Sequence, residues 1–537
     1  MTWWQGMVGY EIYVRSFADS DGDGYGDLPG IRARLPYLAE LGVELVWITP
    51  FYPSPQADHG YDVSDYLGVE PAYGTVDDVA KLVDDAHELG LKVVVDLVPN
   101  HSSSEHPWFV DARSSKDARH RDWYVWRDPA PDGGPPNNWV SHFGGPAWTY
   151  DETSGQYYMH LFLPEQPDLN WANDEVRAAF VDILDTWFSR GVDGMRIDVA
   201  HSLVEDAEYR DNPVIAPYDP TAPPRERFEA FEHLHDHDQD GVLDIYREWN
   251  TVAAKHHALL LGEVYILETD RLRRYVEGRD GLHLAFAFAT LHATWDVEEI
   301  RPLLAELVEA GGEHFAWPLG SHDDPRAAAR FGGGEVGARR ALAYFTLLCA
   351  LPGVPFLYQG DELGLDDGEL EDDAAQDPVA VRNPGARGRD PVRTPMLWEP
   401  GPGYGFTTGT PWLPFGANRR PEDTVAAQQG VPGSPLERTR ELLRVRRSLP
   451  ALRGGAGSRW LTDAGPVVAI ERVLPAAGDG GRVVAALHVG DGDPDAVADL
   501  QLPGAGRLVY TSADGASLDG TVLHLPADTA AIVELSS

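Results

Sequence analysis

Along the chain, short runs of β-branched and aromatic residues alternate with stretches whose apolar positions recur every three to four residues. The runs are Val8–Phe17, Val43–Pro50, Leu91–Pro99, Gly194–Ala200, Ala258–Val264, Leu282–Thr290, His314–Asp323 and Val354–Glu362. Amphipathic helix patterns stand between them, among them Val76–Leu89, Glu175–Arg190 and Ala338–Ala350. Gly90 follows the first and Gly191 the second, where a helix C-terminus favours glycine. Strand followed by helix, eight times over, predicts an α/β chain folded as a parallel (β/α)8 TIM barrel. An open doubly wound sheet is the alternative, but no glycine-rich phosphate turn follows the first strand.

Two segments are too long for connecting loops. Residues 100–171, between the third and fourth strands, are rich in Trp, Tyr, Pro and Gly and predict an inserted subdomain. Residues 364–431, after the eighth, carry an acidic run and then many Pro and Gly, which predicts an elaboration over the barrel mouth. The barrel itself is then drawn from 1–99 and 172–450. From about Ala451 the texture changes to short strand patterns with Gly/Asp turns, at Val467–Val473, Arg482–His488, Arg507–Tyr510 and Ala530–Leu535. They predict a C-terminal antiparallel β-sandwich over 451–537.

Composition narrows the function. The chain has 537 residues, more than one core holds, and 43% hydrophobic with 24% charged residues is an ordinary globular balance. The 43 Lys plus Arg against 86 Asp plus Glu give a formal net charge of −43, which repels nucleic acid and anionic lipid and suits neutral ligands and metal cations. One Cys excludes an internal disulfide framework and fits a reducing compartment. The N-terminus shows no secretory signal, and no stretch has the roughly 18 apolar residues of a membrane helix. A soluble, cytoplasmic protein is expected, monomeric or homodimeric, with a small-molecule substrate and no nucleic-acid or membrane partner.

In such a barrel the active site lies at the C-terminal ends of the strands. The third ends Asp96-Leu-Val-Pro-Asn100-His101, the fourth Arg196-Ile-Asp198, the fifth Gly262-Glu263 and the seventh Ser321-His322-Asp323-Asp324. Carboxylates, two His and one Arg converge on one rim, with no Lys, Cys or Ser placed as a nucleophile. Any single acid could be solvated or cap a helix; four acid-bearing ends, two with a His, point to glycosidic cleavage. There one carboxylate attacks the anomeric carbon and a second protonates the leaving oxygen. A hydrolytic metal site is the lesser reading, because paired-His helix spacing is lacking and Arg196 opposes a cation.

These motifs resemble glycoside hydrolase family 13, the α-amylase superfamily, and most closely its oligo-1,6-glucosidase and α-glucosidase branch. The matching segments are Asp96–His101, Gly194–Asp198, Gly262–Val264 and His322–Asp323, and Gln166–Asn170 resembles the variant of that branch. The resemblance implies Asp198 as nucleophile, Glu263 as acid and base, and Asp323 as the group that binds sugar hydroxyls. It further implies that Arg196 orients Asp198, that His101 and His322 bind the same glucose, that Tyr61 stacks on it and that Asp62 grips its far hydroxyls. Arg389 is expected to pair with Asp62 and close the pocket into a one-ended slot, as against an ordinary surface ion pair. Ser321 stands where the family usually has Asn, and Val199 follows the nucleophile, as in α-1,6-preferring members; Ala200-His201 replaces the usual Ile-Asn.

A separate signal is Asp19-Ser-Asp21-Gly-Asp23-Gly-Tyr25-Gly-Asp27, which resembles the front half of an EF-hand loop without its final Glu. Side chains of Asp19, Asp21, Asp23 and Asp27 and the carbonyl of Tyr25 would surround a structural Ca²⁺, or Mg²⁺; no organic cofactor is expected. The whole predicts a retaining exo-α-glucosidase acting on short α-glucosides such as maltose, isomaltose and sucrose. The alternatives are a glucosyl-transferring or isomerising relative of the trehalose or isomaltulose synthase type and, in another class, a non-catalytic interaction subunit. All three acids being present speaks against the last.

Overall fold

The computed structural model describes residues 2–278, 280–383, 385–475 and 480–536; residue 384 of the 364–431 segment, residues 476–479 and 537 of the 451–537 segment and the side chain of residue 372 lie outside the description. Its centre is a closed barrel of eight parallel strands in chain order: β1 (Gly9–Ile12), β2 (Leu45–Ile48), β3 (Lys92–Leu97), β4 (Gly194–Ile197), β5 (Leu259–Gly262), β6 (Leu284–Phe286), β7 (Phe315–Pro318) and β8 (Val354–Tyr358). Each strand lies within one of the apolar runs and is buried on both faces almost throughout, as parallel strands covered by helices are. Helices Leu28–Leu41, Val76–Glu88, Asp174–Ser189, Gly241–His256, Thr269–Arg274, Val297–Gly311, Gly334–Leu348 and Pro435–Ser448 follow the strands in turn.

The runs outlast the strands at their C-terminal ends. The first run extends to Phe17, but pairing stops at Ile12 and Val14–Phe17 is a helical turn. There the backbone N–H of Tyr13 goes to the Gln359 side chain (2.9 Å) and that of Val14 to Thr49 Oγ1 (3.1 Å), so the ladder has no partner left. The sixth run closes likewise into the turn Ala289–His292, and the seventh leaves the sheet at Pro318 before reaching His322.

The 100–171 segment forms a three-stranded antiparallel sheet of Trp126–Arg127, Gln156–Met159 and Trp148–Asp151. Trp123, Trp126 and Trp139 are buried in its packing and belong to the core. Residues 457–535 form a five-stranded and a three-stranded antiparallel sheet around a shared apolar layer that includes Val467, Val484, Leu523, Leu525 and Val533. This domain is bound to the barrel through Asp528, which accepts from Trp295 Nε1 (2.8 Å) and Arg340 Nε (2.9 Å), and through Arg472 Nη1 on the carbonyl of Ala350 (2.7 Å). Cys349 is buried in the core, where burial pushes its thiol up to about 12. A long connection after β4, residues 198–240, also rises over the mouth; no composition shift marks it in the sequence.

Candidate active site

Parallel register fixes the centre of the site. Asp96 on β3 pairs with Arg196 on β4, and Ile197 with Gly262 on β5. Extending that ladder by one residue, Asp198 N donates to the Leu97 carbonyl (2.8 Å) and Glu263 N to that of Ile197 (2.9 Å), so both acids leave adjacent strand ends together. The buried guanidinium of Arg196 joins them: Nη1 reaches Asp198 Oδ1 (2.6 Å) and Asp96 Oδ1 (2.9 Å), and Nη2 reaches Glu263 Oε2 (2.8 Å). Asp198 and Glu263 are close enough for each to shift the titration of the other. Val199 sits at φ 43°, a left-handed conformation that costs a β-branched residue about 1–3 kcal/mol, and there its N–H donates to Glu263 Oε2 (2.9 Å). Burial raises the carboxyls of Asp198 and Glu263 above the usual range, and Asp96 to about 7. Three acids around one cation then hold protons between them and titrate as a unit.

Asp323 has the opposite environment. Burial works against its charge, but His322, Arg389 and Arg393 hold it far below the ordinary carboxylate range. Arg393 Nη2 lies 2.6 Å and Arg389 Nη1 3.3 Å from its Oδ1, and His322 Nε2 is 3.2 Å from its Oδ2. His322 is clamped on its other side by Glu11 of β1, 2.5 Å from Nδ1, and its ring lies parallel to that of Tyr61 at 5.5 Å. Tyr61 Oη is 2.9 Å from His322 Nε2 and 3.3 Å from Asp96 Oδ2. Ser321 Oγ caps the turn by accepting from the N–H of Asp323 (3.2 Å) and of Asp324 (3.1 Å), so the departure at this position is absorbed locally. Asp198, Glu263, Arg196, Asp323, His322 and Tyr61 thus form one cluster.

Two expectations need correction. Asp62 is 0% exposed, and its carboxylate accepts from Ser54 Oγ (2.8 Å), Ala57 N (2.9 Å) and Asp58 N (3.0 Å), with burial raising it to about 6. It ties the loop 54–62 together, with both oxygens buried and engaged by the loop itself. The partner of Arg389 is Asp58: Nη2 reaches Asp58 Oδ1 (2.7 Å) and Asp377 Oδ1 (2.8 Å). With 17% of its side chain exposed, Arg389 is not a surface ion pair but a wall beside Asp323. His101 lies behind this wall, its Nε2 3.1 Å from the Tyr61 carbonyl and 3.0 Å from Gln166 Nε2; burial lowers it to about 3 and keeps it neutral. Asp58, Arg393 and Glu11 are residues of the site that motif reading passed over, and Gln166 stood in a matching segment without a role assigned to it. Asp58 and Arg393 stand three and four residues from Tyr61 and Arg389, whereas Glu11 shows only as one polar residue in an apolar strand.

The acidic loop follows β1. Asp19, Asp21 and Asp27 bring carboxylate oxygens within 4.8 Å of one another, while Asp23 Oδ1 accepts from Tyr25 N (2.8 Å). Asp27 also caps the helix Leu28–Leu41 through Gly30 N (2.6 Å). Apart from the hydroxyls of Ser20 and Thr407, the hydrogen-bond partners of these acids are backbone N–H groups.

A parallel barrel that carries, on adjacent strand ends, two acids joined by one arginine, with a third acid across the mouth, has the make-up of a glycoside hydrolase. The α-amylase catalytic-domain model matches residues 11–455. A probable α-glucosidase of Rhizobium meliloti (strain 1021) is 42% identical over 463 residues, 84% of each chain, and an oligo-1,6-glucosidase of Heyndrickxia coagulans 37% identical over 84% of this chain and 86% of its own. The crystal structure of an α-glucosyl transfer enzyme superposes with a TM-score of 0.91 at 37% identity over 99% of both chains. The chain belongs to the α-amylase family, glycoside hydrolase family 13, and its function is of the α-glucosidase and oligo-1,6-glucosidase type.

Proposed function

We propose that the chain is a retaining, exo-acting α-glucosidase that removes single terminal glucoses from short α-glucosides. The observation that carries this reading is the pair Asp198 and Glu263 gripped by one guanidinium, at 2.6 and 2.8 Å. Two carboxyls sharing one guanidinium from adjacent strand ends suit the about 5–5.5 Å spacing of a retaining pair better than the roughly 6.5–9.5 Å that an inverting enzyme leaves for water. A proton shared within the pair leaves one carboxylate to attack and one acid to donate. Asp198 attacks the anomeric carbon as Glu263 protonates the departing oxygen, giving a covalent glucosyl–Asp198 ester and a free sugar. Glu263, now ionised, takes a proton from water, whose oxygen displaces Asp198 and restores both groups. The fixed negative charge of Asp323 faces the developing oxocarbenium. The wall of Arg389, Asp58 and Asp377 blocks one side, so the pocket takes a chain end. A single, buried thiol suits a reducing compartment, and we place the enzyme in the cytoplasm on that ground.

Maltose, isomaltose and sucrose assayed for products, with the anomer followed by NMR, test this. Glucose released first as the α-anomer is expected; β-glucose overturns retention, and disaccharide isomers overturn hydrolysis. The transfer enzyme among the structural matches makes glucosyl transfer the second reading, and transfer products exceeding glucose at low acceptor concentration would select it. Asp198→Asn should remove turnover by at least about 10³-fold while leaving Tm within a degree or two.

For the loop after β1 we propose a structural Ca²⁺, or Mg²⁺, held by Asp19, Asp21 and Asp27 and completed by Asp23 and the Tyr25 carbonyl. Hard carboxylate and carbonyl oxygens suit these ions. Bound there, the ion supplies charge balance and loop rigidity, with no part in the reaction. Chelation by EDTA should lower Tm and added Ca²⁺ restore it, and an unchanged Tm would remove the ion from the account.

A further inference from the structure

The connection after β4 carries a second group of ligand atoms that the reaction does not use. His233, Asp236 and His237 each bring one ligand atom within 4.8 Å of the others. Asp236 is 0% exposed. His233 donates Nε2–H to the Phe228 carbonyl (2.9 Å), because a carbonyl can only accept. In a neutral ring Nδ1 then carries a lone pair, yet it lies 2.6 Å from Asp236 Oδ2, where a cation between them, a second ring proton or a proton on Asp236 makes the contact attractive. Asp236 Oδ1 and His237 Nδ1 face each other at 3.4 Å, both buried and both without a hydrogen bond. Buried polar atoms left unpaired are costly, and each such pair asks for a partner.

We propose that His233, Asp236 and His237 bind a divalent transition-metal cation of the Zn²⁺ type. Three features argue for this class. Two imidazole nitrogens and one carboxylate are zinc's ordinary ligands, and a hard ion such as Ca²⁺ would prefer the oxygens of the Asp19–Asp27 loop. The 3.4 Å between Asp236 Oδ1 and His237 Nδ1 equals the edge of a zinc tetrahedron, about 3.3 Å for ligands at 2.0–2.1 Å. The His233 Nε2–H held by a backbone carbonyl is the outer contact that ligating histidines make. The contact of His233 with Asp236 must open from 2.6 Å to about that same edge. The nearest guanidinium, Arg271, is neutralised by Asp238 at 2.5 Å and so does not repel the ion. A fourth position is left to water or solvent ligand.

The site is tied to the strand end that bears Asp198. Asp238 N donates to the His201 carbonyl (2.7 Å), and the rings of His201 and His237 meet edge to face at 5.2 Å. A bound cation would therefore fasten the 228–240 loop over the barrel mouth.

Full-length protein stripped with EDTA, titrated with Zn²⁺ and then dialysed, tests the assignment by metal content and melting. One zinc per chain should survive dialysis in the unaltered protein and in Asp21→Ala, and be lost, with at least a 10-fold weaker Kd, in His237→Ala and in Asp236→Asn. Zinc should raise Tm of the unaltered chain and not that of His237→Ala, which makes no hydrogen bond through Nδ1 and so should fold without the metal. Co²⁺ in place of zinc should give the visible bands of a four-coordinate ion, absent in His237→Ala. Equal zinc content in the unaltered chain and His237→Ala, or none retained by either, overturns the site. So does an NMR titration showing His233 as an imidazolium paired with Asp236 whether or not zinc is added.

Discussion

At the scale of single residues, Glu11 decides how Asp323 is presented. Burial raises its carboxyl well above the usual range, and His322 Nδ1 lies 2.5 Å away. Asp323 is held ionised, so the hydrogen-bond network assigns the proton on His322 to Nε2, aimed at Asp323 Oδ2. Nδ1 must then accept, which a protonated Glu11 supplies. Gln at position 11 can donate the same bond, whereas Met fills the space and cannot. Glu11→Gln should keep kcat/KM within about 3-fold, and Glu11→Met should lose about 10-fold or more, the roughly 1.4 kcal/mol of one misdirected hydrogen bond. Equal losses in both would mean that Glu11 works as an anion beside an imidazolium. The proton on the Asp198–Glu263 pair makes a second point. A carboxylic acid raised by burial stays protonated past its ordinary value of about 4.3, so activity should fall only as pH rises through the raised value of the pair. A pH profile of kcat/KM whose alkaline limb lies in the unshifted carboxylate range would contradict this.

At the scale of elements, what the sequence made legible follows how directly the backbone dictates it. Every barrel strand falls inside an apolar run, because a parallel strand covered on both faces must be apolar throughout. Asp198 and Glu263 were legible because the residue after a strand's last rung points into the mouth, with no loop geometry to know. The loops were not legible in this way. Asp62 and Asp58 lie in one turn, and only the backbone of 54–62, with left-handed Gln56, His59 and Gly60, turns Asp62 inward onto its own N–H groups and Asp58 outward to Arg389. Arg393 and Asp377 come from the 364–431 segment, whose fold depends on bonds to the barrel. Glu11 was hidden differently, as a polar residue within an apolar strand whose side chain meets His322, 311 positions away. The connection 198–240 carries no periodic pattern, and His233, Asp236 and His237 form no group until the chain brings them together.

At the scale of the whole molecule, the net charge of −43 acts on stability through two opposed terms. Like charges spread over the surface repel in the compact state, and arginine–carboxylate pairs such as Arg32–Asp85 and Arg225–Glu229 attract. Those two pairs are exposed, where each is worth about 0–1 kcal/mol and salt weakens it. The pairs that build the site are buried and little screened, as with Arg393, which is 0% exposed. Acids outnumber cations two to one, so most surface carboxylates have only carboxylates for long-range company. Added salt shortens the reach of their repulsion from about 30 Å at 0.01 M to about 3 Å at 1 M, removing more repulsion than attraction. Tm measured in NaCl between those concentrations should therefore rise. The Michaelis constant for a neutral disaccharide should stay nearly constant over the same range, since an uncharged ligand feels no steering and the buried ion pairs keep the pocket's shape. A Tm that falls with salt would mean that surface ion pairs outweigh the excess charge.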